Sequence, residues 1–310
     1  MKKIVILFYC LVSAAALFAG GGGYIAPFVF SPDGSRIIKG SENGNMELWD
    51  VISGQKIKTF LGVPNHPVYN IYFNSNGSKI LSESGYYINL WDTDSGNIIR
   101  TFNANGWVYN AEFNINSSQI LSNTGNNIII WDAVTGREII NIEQAAWTYQ
   151  AVFSPDSSKI MSCGDGFIKL WDITTGSEVL TIKEDLYYGY EASFNTDGSQ
   201  IIAPVDNTIK FWDAATGREI RSIQQDNPID DIIFNADGSR VLVLEDFGRS
   251  VRLLDTAAGS EISIFSINNN KYFSLNVEGY ILSCDYDMKI TFWDAATGRE
   301  IRNIKLSDGS

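Results

Sequence analysis

Trp212-Asp213-Ala214-Ala215-Thr216-Gly217-Arg218-Glu219-Ile220 reads as the end of one β-strand, a tight turn and the start of the next. Ahead of it, Ile209 and Phe211 are apolar around the polar Lys210, the alternation of a half-buried strand. Gly217 lies five residues past the tryptophan and supplies the positive φ that a tight hairpin needs. The same frame, WDAxTGREI, returns at Trp131 to Ile139 and at Trp293 to Ile301. Looser copies at Trp49-Asp50, Trp91-Asp92, Trp171-Asp172 and Leu254-Asp255 complete a series whose successive intervals are 42, 40, 40, 41, 42 and 39 residues. Seven copies at a period of about 40 mark a solenoid, an array or a propeller.

Each unit carries further punctuation in register. The hairpin glycines are Gly54, Gly96, Gly136, Gly176, Gly217, Gly259 and Gly298. Upstream, turn residues recur at Asp33-Gly34, Asn76-Gly77, Asn116-Ser117, Asp156-Ser157, Asp197-Gly198, Asp237-Gly238 and Glu278-Gly279. The pattern predicts four strands per unit; in the fourth unit they are Tyr149 to Phe153, Lys159 to Ser162, Phe167 to Trp171 and Glu178 to Ile182. One four-stranded sheet has two open edges and too little core, whereas seven arranged radially bury one another's faces. The expected fold is all-β, a seven-bladed β-propeller of four-stranded antiparallel blades. The blades fall at about 24–60, 66–101, 107–142, 147–183, 188–224, 229–266 and 270–306, within one domain from 20 to 310.

In these residues the chain resembles the WD-repeat family of β-propellers over nearly all of residues 24 to 306. The structural positions of that resemblance are Trp49, Trp91, Trp131, Trp171, Trp212 and Trp293 with the hairpin glycines. Two features depart from the family pattern. Units of that family begin with Gly-His, whose His joins a buried hydrogen-bond set with the tryptophan, a hydroxyl residue and a turn aspartate. Here the only histidine, His66, is out of register, and the His position holds Gly21, Pro64, Ala104, Gln144, Asp185 and Gln225. The turn aspartate remains only as Asp165, Asp206 and Asp287, so the polar network is expected to be absent and stability to rest on apolar packing. Many family members also let an N-terminal strand complete the last blade. Here the last unit is expected to complete itself with Glu300 to Leu306, leaving a weaker seam.

At the N-terminus, Lys2 and Lys3 precede an apolar run from Ile4 to Phe18 and small residues at Ala19 and Gly20. That is the pattern of a secretory signal peptide, residues 1–19, and the run is short for a spanning helix of about 20 apolar residues. The expected location is therefore exported, periplasmic or extracellular, with no stable membrane insertion after cleavage. The whole chain carries a net charge of −13; without the leader, 21 basic residues face 36 acidic ones, a net of −15. Such a balance argues against nucleic acid and anionic lipid as partners. Cys163 and Cys284 lie on corresponding strands of non-adjacent blades, too far apart for a disulfide, and read as small buried residues.

No arrangement of residues points to catalysis. The seven signature aspartates recur at one turn position and spread around the ring rather than converge. A single histidine gives no Ser-His-Asp or Cys-His set, and no zinc spacing occurs. Asp226, Asp230 and Asp231 read as a solvated acidic cluster rather than a cation site, which for calcium wants six or more oxygens. No cofactor and no metal are expected.

One set of aromatics rises above the scaffold. Trp107 and Trp147 lie 40 residues apart in the same register, and two residues after them come Tyr109 and Tyr149. The same register gives Tyr69 in the second blade and Tyr190 in the fifth, while Ala26, Asp230 and Lys271 occupy it elsewhere. The resemblance implies that this position, at the start of the innermost strand, faces the mouth of the central channel, flanked by Tyr24, Tyr188, Trp107 and Trp147. Tyrosine and tryptophan dominate protein-binding hot spots. The expectation is a non-catalytic interaction scaffold, a monomer, binding a protein or peptide at this aromatic rim. The alternatives are a glycan-binding module, in which the rings stack on sugar faces, and a metal-dependent propeller enzyme. Packing of these rings between blades in place of the His network is the competing structural reading.

Overall fold

The computed structural model describes residues 27–184, 192–234, 239–245, 250–266, 270–275, 280–285 and 289–306, and everything structural below concerns these. Residues 1–19, where a leader is expected, lie outside them.

The first blade is β1 (Phe28–Phe30), β2 (Arg36–Gly40), β3 (Met46–Asp50) and β4 (Lys56–Phe60). The second is β5 (Asn70–Phe73), β6 (Lys79–Ser84), β7 (Tyr87–Asp92) and β8 (Ile98–Asn103). The third is β9 (Asn110–Phe113), β10 (Gln119–Asn123), β11 (Asn127–Asp132) and β12 (Glu138–Glu143), and the fourth β13 (Thr148–Phe153), β14 (Lys159–Gly164), β15 (Phe167–Asp172) and β16 (Glu178–Ile182). The fifth is β17 (Ser193–Phe194), β18 (Gln200–Val205), β19 (Thr208–Asp213) and β20 (Glu219–Gln224). The sixth is β21 (Ile229–Phe234), β22 (Arg240–Glu245), β23 (Ser250–Asp255) and β24 (Glu261–Ser266), and the seventh β25 (Asn270–Leu275), β26 (Tyr280–Asp285), β27 (Lys289–Asp294) and β28 (Glu300–Lys305). Each blade is an antiparallel sheet with its strands in chain order, and among the described residues no strand is lent to another blade. The chain is all-β, a seven-bladed β-propeller of four-stranded blades.

Why these residues turn where they do is visible in the hairpins. The signature aspartate accepts hydrogen bonds from the backbone N–H and hydroxyl three residues on, as Asp132 does from Thr135 (2.6 and 2.8 Å) and Asp294 from Thr297 (2.7 Å each). The glycine four residues past the aspartate then takes a φ between 67° and 77° in all seven blades. A β-bulge just before the tryptophan, as between Leu90 and Trp91, lets the outer strand leave at the right angle.

The core sits between blades. Seven separate apolar clusters fill the seven gaps, and each signature tryptophan, or Leu254, packs against the preceding blade. Trp91 lies with Leu48 and Phe60 of the first blade, its ring edge-on to Phe60 at 5.8 Å. On the rim, Arg100 reaches over the next hairpin to the Val134 carbonyl (2.5 Å) and Arg221 to that of Ala257 (3.0 Å). In the third and fourth blades Ile140 and Leu180 meet Gly176 and Gly217 instead.

The closing seam uses the same devices. The last blade is completed by its own β28, and Phe28, Phe30 and Trp49 of the first blade share a cluster with Leu282, Ile290 and Leu306 of the last. Ile304 stands so close to Gly54 that a Cβ there would lie 2.7 Å from it.

The expected loss of the whole polar network needs correction. The indole N–H of Trp91, Trp131 and Trp171 donates to Ser82, Ser122 and Ser162 at 2.9 Å, and that of Trp293 to Ser283 at 2.7 Å. The tryptophan–hydroxyl half of the set therefore persists without the histidine. In the first blade Lys39 stands at the serine position, opposite Glu47, and the buried Trp49 N–H has no acceptor. Changing Ser162 to Ala strands the Trp171 N–H in the same way and is expected to cost about 1–3 kcal/mol, read by urea denaturation. An unchanged midpoint would show that the bond is immaterial.

Candidate partner-binding site

The described connections between blades cross one end of the propeller, over the β2–β3-type turns. Ala104 and Val108 N–H donate to the carbonyls of Tyr86 and Gly85, Gln144 and Thr148 to those of Asn126 and Gly125, and Gln225 to that of Asn207. Ala104, Gln144 and Gln225, three of the residues standing in for the family histidine, thus tie connector to turn through their backbone N–H.

At this end the register of tyrosines acquires a structural meaning. Tyr149 is the extra residue of a bulge: Thr148 opposes Gly164 and Gln150 opposes Cys163, leaving Tyr149 unopposed between them. Asp230 and Lys271 occupy the equivalent bulges in β21 and β25. Tyr69 and Tyr109 precede β5 and β9, their N–H groups bonded to Glu83 and Asn123, which also oppose Asn70 and Asn110. A bulge at the head of an inner strand re-aims one side chain out of the pleat. The side chains of Asp230 and Lys271 lie outside the described residues, as do Tyr24, Tyr188 and Tyr190 altogether.

The rings meet across blade boundaries. Tyr69 contacts Trp107 of the next connector (centroids 5.0 Å, planes at 54°), and Tyr109 contacts Trp147 (5.3 Å, 77°). Trp107 lies against Gly85, and Trp147 so closely over Gly125 (φ 85°) that a Cβ there would come within 2.8 Å of the ring. The rings are therefore part packing and part surface: Tyr69, Tyr109, Tyr149 and Trp107 are half-buried, while Trp147 is 40% exposed.

Two neighbours escaped the sequence reading. Tyr86, 55% exposed, stands edge-on to Trp107 at 6.2 Å, and Tyr87 lies 6.3 Å from the His66 ring. Leu61 and Val63, on the connector that leads to His66, are exposed as well. These rings sit in one turn of one blade, so no repeat register announces them. The aromatic strip thus spans the second to fourth blades.

Beneath the rings runs a polar layer that joins inner strand to inner strand. The Asn110 amide accepts the Ala151 N–H (3.0 Å) and donates to its carbonyl (2.6 Å), mimicking a strand. Phe153 N–H donates to the Glu112 carboxyl, and Ala192 N–H to Gln150 (3.0 Å). Asn70 donates to Glu83 (2.8 Å) and to the Tyr109 carbonyl (3.5 Å). Burial pushes the carboxyl of Glu83 up to about 8 against the lowering bonds from Asn70 and Tyr72, and burial pushes Glu112 to about 8 likewise. Cys163 is a buried thiol outside any disulfide and donates to Gln150 at 3.4 Å; the side chain of Cys284 lies outside the described residues. Among the described residues no three metal-ligating side chains converge.

The family model described as WD domain, G-beta repeat matches residues 145–172, the connector and first three strands of the fourth blade. Similar stretches occur in the small ribosomal subunit protein RACK1z of Arabidopsis thaliana, 28% identical over 28% of this chain and 26% of that protein. The kinesin-like protein KIF21B of Mus musculus is 34% identical over 23% of this chain and 4% of its own length. WD repeat-containing protein 1 of Gallus gallus is 32% identical over 24% of this chain and 13% of its own. The chain matches about a quarter or less of the length of these relatives.

Proposed function

Because the chain is a seven-bladed β-propeller of WD repeats, a kind of protein that typically serves as an interaction scaffold, we propose that it is an exported, non-catalytic scaffold that captures a protein or peptide at the aromatic end of blades two to four, at the mouth of the central channel. The observation that carries this reading is the strip itself: Tyr86, Tyr87 and Trp147 expose aromatic surface, Tyr86 against Trp107, Trp107 against Tyr69 and Trp147 against Tyr109, and Leu61 and Val63 are exposed on the connector into the second blade. Contiguous apolar surface on a soluble protein is a liability unless something covers it. Rigid rings fixed by neighbours offer contact area at little entropic cost. With a net charge of −13, the chain favours a neutral or basic segment over an anionic one.

The test is retention of a partner from the native envelope or medium by the parent protein and by a Tyr86→Ala/Trp147→Ala variant. Both rings are exposed, so the fold is expected to survive while affinity falls by about 2 kcal/mol or more, roughly 30-fold. Equal capture by parent and variant would sink the proposal. The exposed face of Trp147 also suits stacking on a sugar, and retention on a polysaccharide column with elution by free sugar would move the assignment to a glycan. An intact mass beginning after Ala19 checks export.

A further inference from the structure

The chain holds three Asn-Gly steps: Asn43-Gly44, Asn76-Gly77 and Asn105-Gly106. Asparagine is among the thermally labile residues, and a following glycine heightens this, because without a Cβ its backbone nitrogen can close on the asparagine side-chain carbonyl carbon. All three asparagines are exposed, so access to water does not separate them.

Hydrogen bonding does. The Gly44 N–H donates to the Ser41 carbonyl at 3.2 Å, and the Asn43 side-chain oxygen accepts from the Ser41 hydroxyl (2.5 Å) and the Asn45 N–H (3.1 Å). The Gly77 N–H donates to the Asn74 carbonyl at 2.9 Å, and the Asn76 side-chain oxygen accepts from the Ser78 N–H at 3.0 Å. In both turns the attacking nitrogen and the carbonyl it would attack are held in separate bonds. The third step has neither restraint: among the described residues no hydrogen bond is made by the Gly106 N–H or by the Asn105 side chain. Asn105 is left-handed at φ 56°, its own N–H bonded to the Asn103 side-chain oxygen at 3.0 Å.

We infer that Asn105 is a self-modification site, where the folded protein converts asparagine to aspartate and isoaspartate within the aromatic strip. The Gly106 nitrogen loses its proton and bonds to the Asn105 Cγ; the Cγ–Nδ2 bond breaks, and the amide nitrogen leaves as ammonia with that proton. Water then opens the succinimide ring. Cleavage at Cγ restores the ordinary backbone with an aspartate side chain, and cleavage at the backbone carbonyl carbon gives isoaspartate, in which the main chain runs through Cβ. The chemistry needs no partner and stands apart from the scaffold reading. Either product places a carboxylate where the connectors and turns 61–69, 84–87, 104–109 and 124–126 contain no aspartate, glutamate, lysine or arginine. Isoaspartate also adds a methylene to a connector fixed on both sides, by the Ala104 N–H on the Tyr86 carbonyl and the Val108 N–H on that of Gly85. Trp107 stands between those anchors, so the added length is taken up beside the ring that touches Tyr69 and Tyr86.

The test is peptide mass mapping of the native protein after days in neutral buffer, since replacing –NH2 by –OH raises the mass of the peptide concerned. Conversion at Asn105 is expected to run about tenfold or more faster than at Asn43 and Asn76, whose bonds must first break. In urea the three rates should converge, so the order in the native protein reports the fold. Asn105→Gly keeps the left-handed φ and should abolish the mass change in its peptide, which assigns the change to Asn105 rather than to Asn103 or Asn110. A matching thermal midpoint establishes that this variant is folded. An Asn105 that stays intact in the native protein overturns the inference, as does a native Asn43 or Asn76 that converts as fast, or a mass change that survives in Asn105→Gly.

Discussion

Replacing Trp171 by alanine lowers the free energy of unfolding by about 3–5 kcal/mol, the largest single-residue loss expected in the chain. Its ring fills the gap between the third and fourth blades with Leu121, Ile128 and Phe153, and its N–H is satisfied by Ser162. Truncation removes the apolar contacts and leaves a cavity that strands on either side cannot close, because each is held in its own hydrogen-bonded sheet. Native stabilities are only about 5–15 kcal/mol, so the loss is a large fraction of the whole. Urea denaturation followed by tryptophan fluorescence measures it. A loss below about 1 kcal/mol would mean that the gap collapses freely and that the blades are not rigid units.

The second large effect is a dependence on pH. Glu83 and Glu112 have carboxyls raised from 4.5 to about 8 in the fold, so between those values the native state holds more protons than the unfolded chain. Their contribution is complete below about pH 4.5 and is lost as pH rises through about 8, amounting to roughly 5 kcal/mol per carboxyl as an upper bound. The turn aspartates act in the opposite sense. Asp50, Asp132, Asp213 and Asp294 are held below the usual carboxylate value by hydrogen bonds from the turn, so their share is present above about 4 and lost in acid. Stability is therefore expected to peak in mild acid, near pH 5, and to decline towards pH 9. A Glu83→Gln/Glu112→Gln variant should flatten the alkaline limb, because a neutral amide of equal size needs no proton. Melting midpoints that hold steady or rise from pH 5 to 9 in the parent would show that both carboxyls are ionised in the fold.

The architecture was legible because tryptophan, aspartate and glycine each do one mechanical task at one place in every unit. In the fourth unit the expected strand Glu178 to Ile182 coincides with β16, and the other three differ from the observed strands by at most two residues at an end. The site was only half legible. The tyrosine register pointed to a shared position, but a bulge inserts a single residue that leaves no mark in a 40-residue spacing, so the reason for the register emerged only from the pairing of Thr148 and Gln150. Glu83 and Glu112 look like exposed alternation in a strand, yet inner strands are covered on both faces by neighbouring blades. The serines that serve the indoles were in plain register at Ser82, Ser122 and Ser162, hidden by attention to a missing histidine.

Among the described residues the seam between the first and last blades contains no shared strand; like the other six boundaries it is filled by an apolar cluster. Each unit is thus a contiguous length of polypeptide carrying a whole sheet, and a tandem copying event can add or remove one without severing any ladder. The same nine-residue frame serves the third, fifth and seventh units, and the circumference of the ring becomes a quantity that duplication can change in whole steps.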